Sequence, residues 1–130
     1  MDTNIRLLPD VDIEFLDAKG YRVTERAVAN WIHVIVHEFA LPAAYVPTVC
    51  DLLVRLPPGY PNANPDMFWT RPEVRLANGN WPDRANVRET FEGEMWQRWS
   101  RHIPPNAWRP GTDSLQTFIA TIRRELGKGV

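Results

Sequence analysis

The order of this sequence predicts an α+β fold: a short helix, a four-stranded antiparallel meander, a long irregular segment and a closing helix. Three observations carry that expectation. Much of the chain from Tyr21 to Leu56 alternates at period two, the signature of half-buried strands. Twelve prolines exclude long uninterrupted helices from most of the middle of the chain. The last residues return to helical spacing, so strands and helices are segregated along the chain, which argues α+β over α/β.

Pro9 and Asp10 signal the start of the first helix. Val11, Phe15 and Leu16 recur at helical spacing, and Lys19 and Gly20 supply a cation and a stop. Asp10, Asp12, Glu14 and Asp17 give this helix an acidic face, which reads as solvated. Tyr21 to Val28 is the first strand. Trp31 to Phe39 is the second, with Ile32, Val34 and Val36 on one face and Trp31, His33, Ile35, His37 and Phe39 on the other. Leu41 to Pro47 reads as a loop. Val49 to Leu56 is the third strand, turning Cys50, Leu52, Val54 and Leu56 to one side. Pro57 to Pro65 can be neither helix nor central strand, and Asp66 to Thr70 is a short fourth strand.

Beyond it, Arg71 to Asp83 is irregular, with a brief extended piece around Val74 and Leu76. Asn86 to Trp99 has no clear period and could hold a helical turn or two, and Ile103 to Gly111 is a proline-punctuated loop. Asp113 to Leu126 is the clearest helix, capped by Thr112 or Asp113. Leu115, Phe118, Ile119, Ile122 and Leu126 make one apolar stripe, and Arg123, Arg124 and Lys128 lie near the end where the dipole favours cations.

The bulk numbers bound the function. At 130 residues the chain, residues 1–130, reads as one domain, large enough to bury about two thirds of its unfolded surface without a disulfide or metal. A net charge of −1 gives no overall attraction to phosphate backbones. The single cysteine, Cys50, cannot form an internal disulfide, and no signal-peptide pattern is evident. Apolar runs stay well below the ~20 residues of a membrane helix. The expectation is a cytoplasmic protein that contacts neither membrane nor nucleic acid.

Leu52 to Thr70, LLVRLPPGYPNANPDMFWT, places a proline-rich segment around Tyr60-Pro61 between two strands, and Trp108-Arg109-Pro110 precedes the last helix. In both features the chain resembles ubiquitin-conjugating enzymes. In LPPGYP, DMFW, WQRWSRH and WRPG, taken in that order, it resembles a prokaryotic branch of that superfamily over nearly its whole length. The resemblance implies the ubiquitin-conjugating fold, with the irregular stretch holding the active site. It also implies two partners, a ubiquitin-like modifier and the adenylating enzyme that activates it. That enzyme would consume the ATP, so this chain is expected to need no cofactor.

Two departures stand out. Where conjugating enzymes carry His-Pro-Asn, this chain reads Arg71-Pro72-Glu73, and no cysteine follows Cys50. The usual thioester therefore cannot be carried over unchanged. Cys50 shares a strand face with Leu52, Val54 and Leu56, which reads as a core cysteine and an inert thiol.

Transfer of a carboxyl to an amine needs a nucleophile and donors for the developing oxyanion. Ser100 is a candidate acceptor hydroxyl, with His102 two residues on as its base. In extended chain i and i+2 share a face about 6.5–7 Å apart. Arg98 or Arg101 could hold the modifier's carboxylate or an oxyanion. Tyr60 and Trp108, which carry the resemblance, are the remaining modifier-binding or site-supporting candidates. The plainer alternative makes Ser100 a turn or cap hydroxyl and His102 a structural hydrogen-bonder.

Other features read structurally. His33 and His37 have chelating spacing on a helix, but on a strand they stand ~13 Å apart, so no metal site is expected. Trp96, Arg98, Trp99, Arg101, Trp108 and Arg109 interleave rings and guanidiniums as single-strand binders do. The alternative packs the tryptophans onto the sheet and pairs the arginines with Glu89, Glu92 and Glu94. Three function classes remain: a non-cysteine carrier or transferase, a catalytically silent binding or scaffold module, and a nucleic-acid-binding domain.

Overall fold

Pro9 and Gly20 bracket the first helix, α1 (Asp10–Lys19), in the computed structural model, which describes residues 7–104 and 106–128. The Pro9 carbonyl accepts the N–H groups of Asp12 and Ile13, and Gly20 ends the helix at a φ of +71° that glycine adopts without strain. The expected faces are partly reversed. Leu16 is buried, but Val11 is 55% exposed and Asp12, expected in solvent, is 0% exposed.

The strands, in chain order, are β1 (Arg22–Val28), β2 (Trp31–Ala40), β3 (Tyr45–Val46), β4 (Val49–Leu56), β5 (Phe68–Arg71), β6 (Arg75–Leu76), β7 (Val87–Phe91) and β8 (Glu94–Trp99). The chain closes with α2 (Leu115–Lys128). The expected meander is present as β1-β2-β4-β5, each pair antiparallel. The sheet then continues through β8 to β7 at its far edge, making six strands. The segment read as a loop from Leu41 to Pro47 contains β3, which pairs with β6 in a separate two-stranded ribbon. Tyr45 of β3 is fully buried, and its hydroxyl donates to the Leu126 carbonyl of α2 at 2.5 Å.

The segment from Asn86 to Trp99 is a hairpin, with no helical turn. Glu92 and Gly93 take φ values of +52° and +77°, the two left-handed residues that a tight primed turn requires. The period-two signal is weak in β8 because residues on both its faces are buried from Trp96 to Trp99. Trp96 joins Ile35, Leu53 and Trp69 on one side of the sheet, while Gln97 and Trp99 are buried on the other.

Phe39 also departs from simple alternation. Val36 pairs with Leu52 and Phe39 with Cys50, so His37 and Glu38 together oppose Asp51. This bulge, with Glu38 at φ +55°, moves Phe39 to the face of Val34 and Val36, where it is fully buried. Both helices pack on that face, and Leu16, Phe118, Ile119 and Ile122 meet Leu52 and Val54 in the main core. α2 starts at Leu115, two residues later than expected, and carries the predicted apolar stripe. Among the described residues no helix is long and apolar enough to cross a membrane.

Candidate functional site

The proline-rich segment after β4 coils on itself. Tyr60 N–H bonds to the Pro57 carbonyl, and Gly59, at φ +90°, offers its carbonyl to Asn62 and Ala63. This turns the Tyr60 ring inward. Its hydroxyl donates to Asp12 Oδ2 at 2.7 Å, and burial followed by that contact pushes the phenol well above its ordinary pKa of 10. Trp108 lies over the same turn, with ring centroids 6.3 Å apart, and its indole N–H donates to the Pro61 carbonyl at 2.8 Å. Tyr60 and Trp108, 48 positions apart in the chain, therefore meet at one corner of the molecule. Asp12 Oδ1 accepts the Leu115 N–H at 3.0 Å, so one buried carboxylate joins α1, the turn and the start of α2.

The segment leaving β8 carries the other candidates, and they diverge. Ser100 is half-buried; its N–H bonds to the Arg84 carbonyl, and its Oγ accepts from Arg98 Nε at 3.0 Å. The same guanidinium reaches Glu89 Oε1 at 3.3 Å, an oxygen that also accepts the Trp69 indole N–H. Arg101 turns the opposite way and is buried. It donates twice to the Asp83 carbonyl, at 3.1 and 2.8 Å, and once to the Glu125 carbonyl at 2.7 Å. A guanidinium at the C-terminal carbonyls of α2 also complements the helix dipole. Arg98 thus pairs with Glu89 as expected. Arg101 pairs instead with Glu125, and Glu94 with Arg71, because the hairpin carries β8 between β5 and β7.

His102 stands on the surface, its side chain 57% exposed, and its Nδ1 lies 2.7 Å from Asp66 Oδ2. The other oxygen, Oδ1, accepts the Ile103 N–H at 3.2 Å. In the hydrogen-bond network of the described residues, Ser100 is bound to Arg98 and His102 to Asp66, not to one another. Sequence reasoning missed Asp66. The β5–β8 pairing, with Phe68 opposite Trp99, would have brought it beside His102.

Cys50 is 3% exposed, and burial, reinforced by the neighbouring Asp51 charge, pushes its thiol up to about 12. A thiol so protonated and enclosed is a poor nucleophile. In the place of His-Pro-Asn, Arg71 bonds to Asp51 at 3.1 Å, pairs with Glu94 and lies over the Trp96 ring. Glu73 accepts from Arg75 and Arg88, which hold its carboxyl below the usual range.

His33 accepts from Arg55 and meets Phe91 edge-on, while His37 lies between Thr24 and Asp51. The interleaved rings are parted too. Trp96 faces one side of the sheet, Trp99 the other, and Trp108 the Tyr60 corner.

No curated protein and no solved structure matches this chain. The family model for prokaryotic E2 family E, a branch of the ubiquitin-conjugating (E2) superfamily, matches residues 8–129. An α+β architecture with helices at both ends of an antiparallel sheet agrees with it, and the chain belongs to prokaryotic E2 family E.

Proposed function

We propose that this chain serves a prokaryotic ubiquitin-like conjugation pathway by receiving the modifier's C-terminal carboxyl at the end of β8, through Ser100 and His102 instead of a thiol. One observation supports the reading most. The only thiol is sealed in the core, while a hydroxyl and an exposed imidazole stand two residues apart where β8 leaves the sheet. The partners in this reading are a ubiquitin-like modifier and its adenylating activating enzyme.

The transfer balances without a cofactor. Ser100 Oγ bonds to the carbonyl carbon of a delivered thioester, the C–S bond breaks, and the thiolate stays with the activating enzyme. The hydroxyl proton passes to His102 Nε2. Arg98, donating to Ser100 Oγ, opposes the negative charge that develops there. An acceptor amine then attacks the ester carbonyl, the bond from that carbon to Ser100 Oγ breaks, His102 returns its proton to the departing oxygen, and the proton lost by the amine passes to solvent.

A second reading, a binding or scaffold module without turnover, is favoured by the Arg98 contact itself. Ser100 Oγ is engaged by a guanidinium and, among the described residues, has no base hydrogen-bonded to it.

Intact mass after incubation with the cognate modifier, activating enzyme and ATP separates the two. A modifier-sized adduct that survives thiol reductant, yields to mild base and is lost in Ser100→Ala establishes the carrier. An adduct lost in Cys50→Ala instead overturns the non-thiol reading. Modifier binding with no adduct in any variant establishes the scaffold.

A further inference from the structure

We propose that Asp66 is a positioning residue that holds His102 in the tautomer whose free lone pair lies on Nε2. This rests on the reading of His102 as the proton acceptor. An ionised carboxylate can only accept hydrogen bonds, so at 2.7 Å from Asp66 Oδ2 the proton of the neutral imidazole sits on Nδ1. Free histidine favours the opposite tautomer, with the proton on Nε2 and the lone pair on Nδ1. The carboxylate reverses that preference and leaves the basic lone pair on Nε2.

The geometry is built, not incidental to two mobile side chains. Asp66 stands two residues before β5 and His102 three after β8, and the Phe68–Trp99 pairing of those strands sets their separation. The carboxylate is oriented by its second oxygen, which accepts the Ile103 N–H at 3.2 Å from the residue next to His102. The imidazole keeps 57% of its side-chain surface in solvent, so the ring is accessible to a proton donor. In the Ser-His-Asp triad an oriented carboxylate holds the catalytic imidazole in this way.

Asp66→Asn tests the assignment with little change of shape. Its amide oxygen can keep the Ile103 N–H, which turns the NH2 group toward Nδ1. Nδ1 must then accept, and the proton moves to Nε2, away from the orientation a base needs.

Long-range 1H–15N spectra of the labelled full chain, recorded with the ring neutral, read the tautomer directly. The expected wild-type spectrum shows a protonated Nδ1 and an unprotonated Nε2, exchanged in Asp66→Asn. In the adduct assay Asp66→Asn should lower the rate by about 10²-fold or more, the usual share of a general base. Asp66→Glu, which keeps a carboxylate, should recover part of it.

A wild-type His102 protonated on Nε2, or a tautomer unchanged in Asp66→Asn, overturns the proposal. The wild-type spectrum alone decides this if the variant does not fold. If His102→Ala forms adduct at the full rate, the base reading fails on its own, whatever the spectra show.

Discussion

Asp12, in the first turn of α1, accepts the backbone N–H of Leu115 at the start of α2, a bond that spans 103 positions of the chain. Its second oxygen takes the Tyr60 hydroxyl, so the carboxylate is enclosed yet provided with donors. It acts as an N-cap supplied from another helix, and it fixes the proline-rich turn relative to both helices.

Removing Asp12 should therefore cost more than a helix cap. Asp12→Ala leaves a buried N–H and a buried hydroxyl without partners, and should destabilise the fold by about 2–4 kcal/mol. Tyr60→Phe should cost about 1–2 kcal/mol. In urea unfolding, the double variant should fall short of the sum by about 1 kcal/mol, since both changes remove the same contact. Strict additivity would show that the two residues do not share it.

Arg101 reads as a buried support instead of a surface for the modifier. Arg101→Ala frees the Asp83 and Glu125 carbonyls at once and should cost about 3 kcal/mol in unfolding free energy. Modifier binding, measured well below the melting temperature, should be unchanged. A stable variant with impaired binding would reverse the assignment.

The hairpin between β7 and β8 depends on its turn. A Cβ at Gly93 meets nothing within 4 Å, so any penalty for Gly93→Ala comes from the φ of +77°. That penalty should be about 1 kcal/mol. Glu92→Asn, placing a residue that tolerates φ above zero, should stabilise by about 0.5 kcal/mol. Thermal unfolding of both variants checks the turn, and a neutral Gly93→Ala would exclude it.

His33 should make stability fall in mild acid. Burial, aided by the Arg55 charge, lowers its pKa from 6.5, so the folded chain resists the protonation that the unfolded chain accepts. The unfolded state therefore binds more protons below pH 6.5, and stability drops as pH falls from there toward the lowered value. The contribution cannot exceed about 1.4 kcal/mol per pH unit. Urea unfolding of wild type and His33→Gln between neutral and mildly acidic pH isolates it. Parallel pH profiles would remove His33 as the cause.

Tyr60 and Trp108 could each be singled out in the sequence by a short motif, but their meeting at one corner could not, because 48 positions of chain separate them. The burial of Cys50 was legible as well, because alternation along Val49 to Leu56 places it on the same strand face as Leu52, Val54 and Leu56. The hairpin was not legible. With residues on both faces of β8 buried, polarity along Trp96 to Trp99 no longer reports strand period, and the Glu92-Gly93 turn was the only local signal. Phe39 changed faces through one inserted residue, which a period-two count cannot register.

By itself, then, the sequence determined the order of first helix, four-stranded meander and closing helix, the apolar stripe of α2, and the enclosed thiol. These follow from periodicity and turn chemistry acting over a few neighbouring residues. Only the tertiary structure decided that Asp12 is a buried cap, that Ser100 is held by Arg98, and that His102 is paired with Asp66. A hydrogen bond between Asp66 and His102 spans 36 positions of the chain, and it forms because β5 and β8 lie side by side. Local pattern carries no record of such a partner, since the pairing of strands selects it.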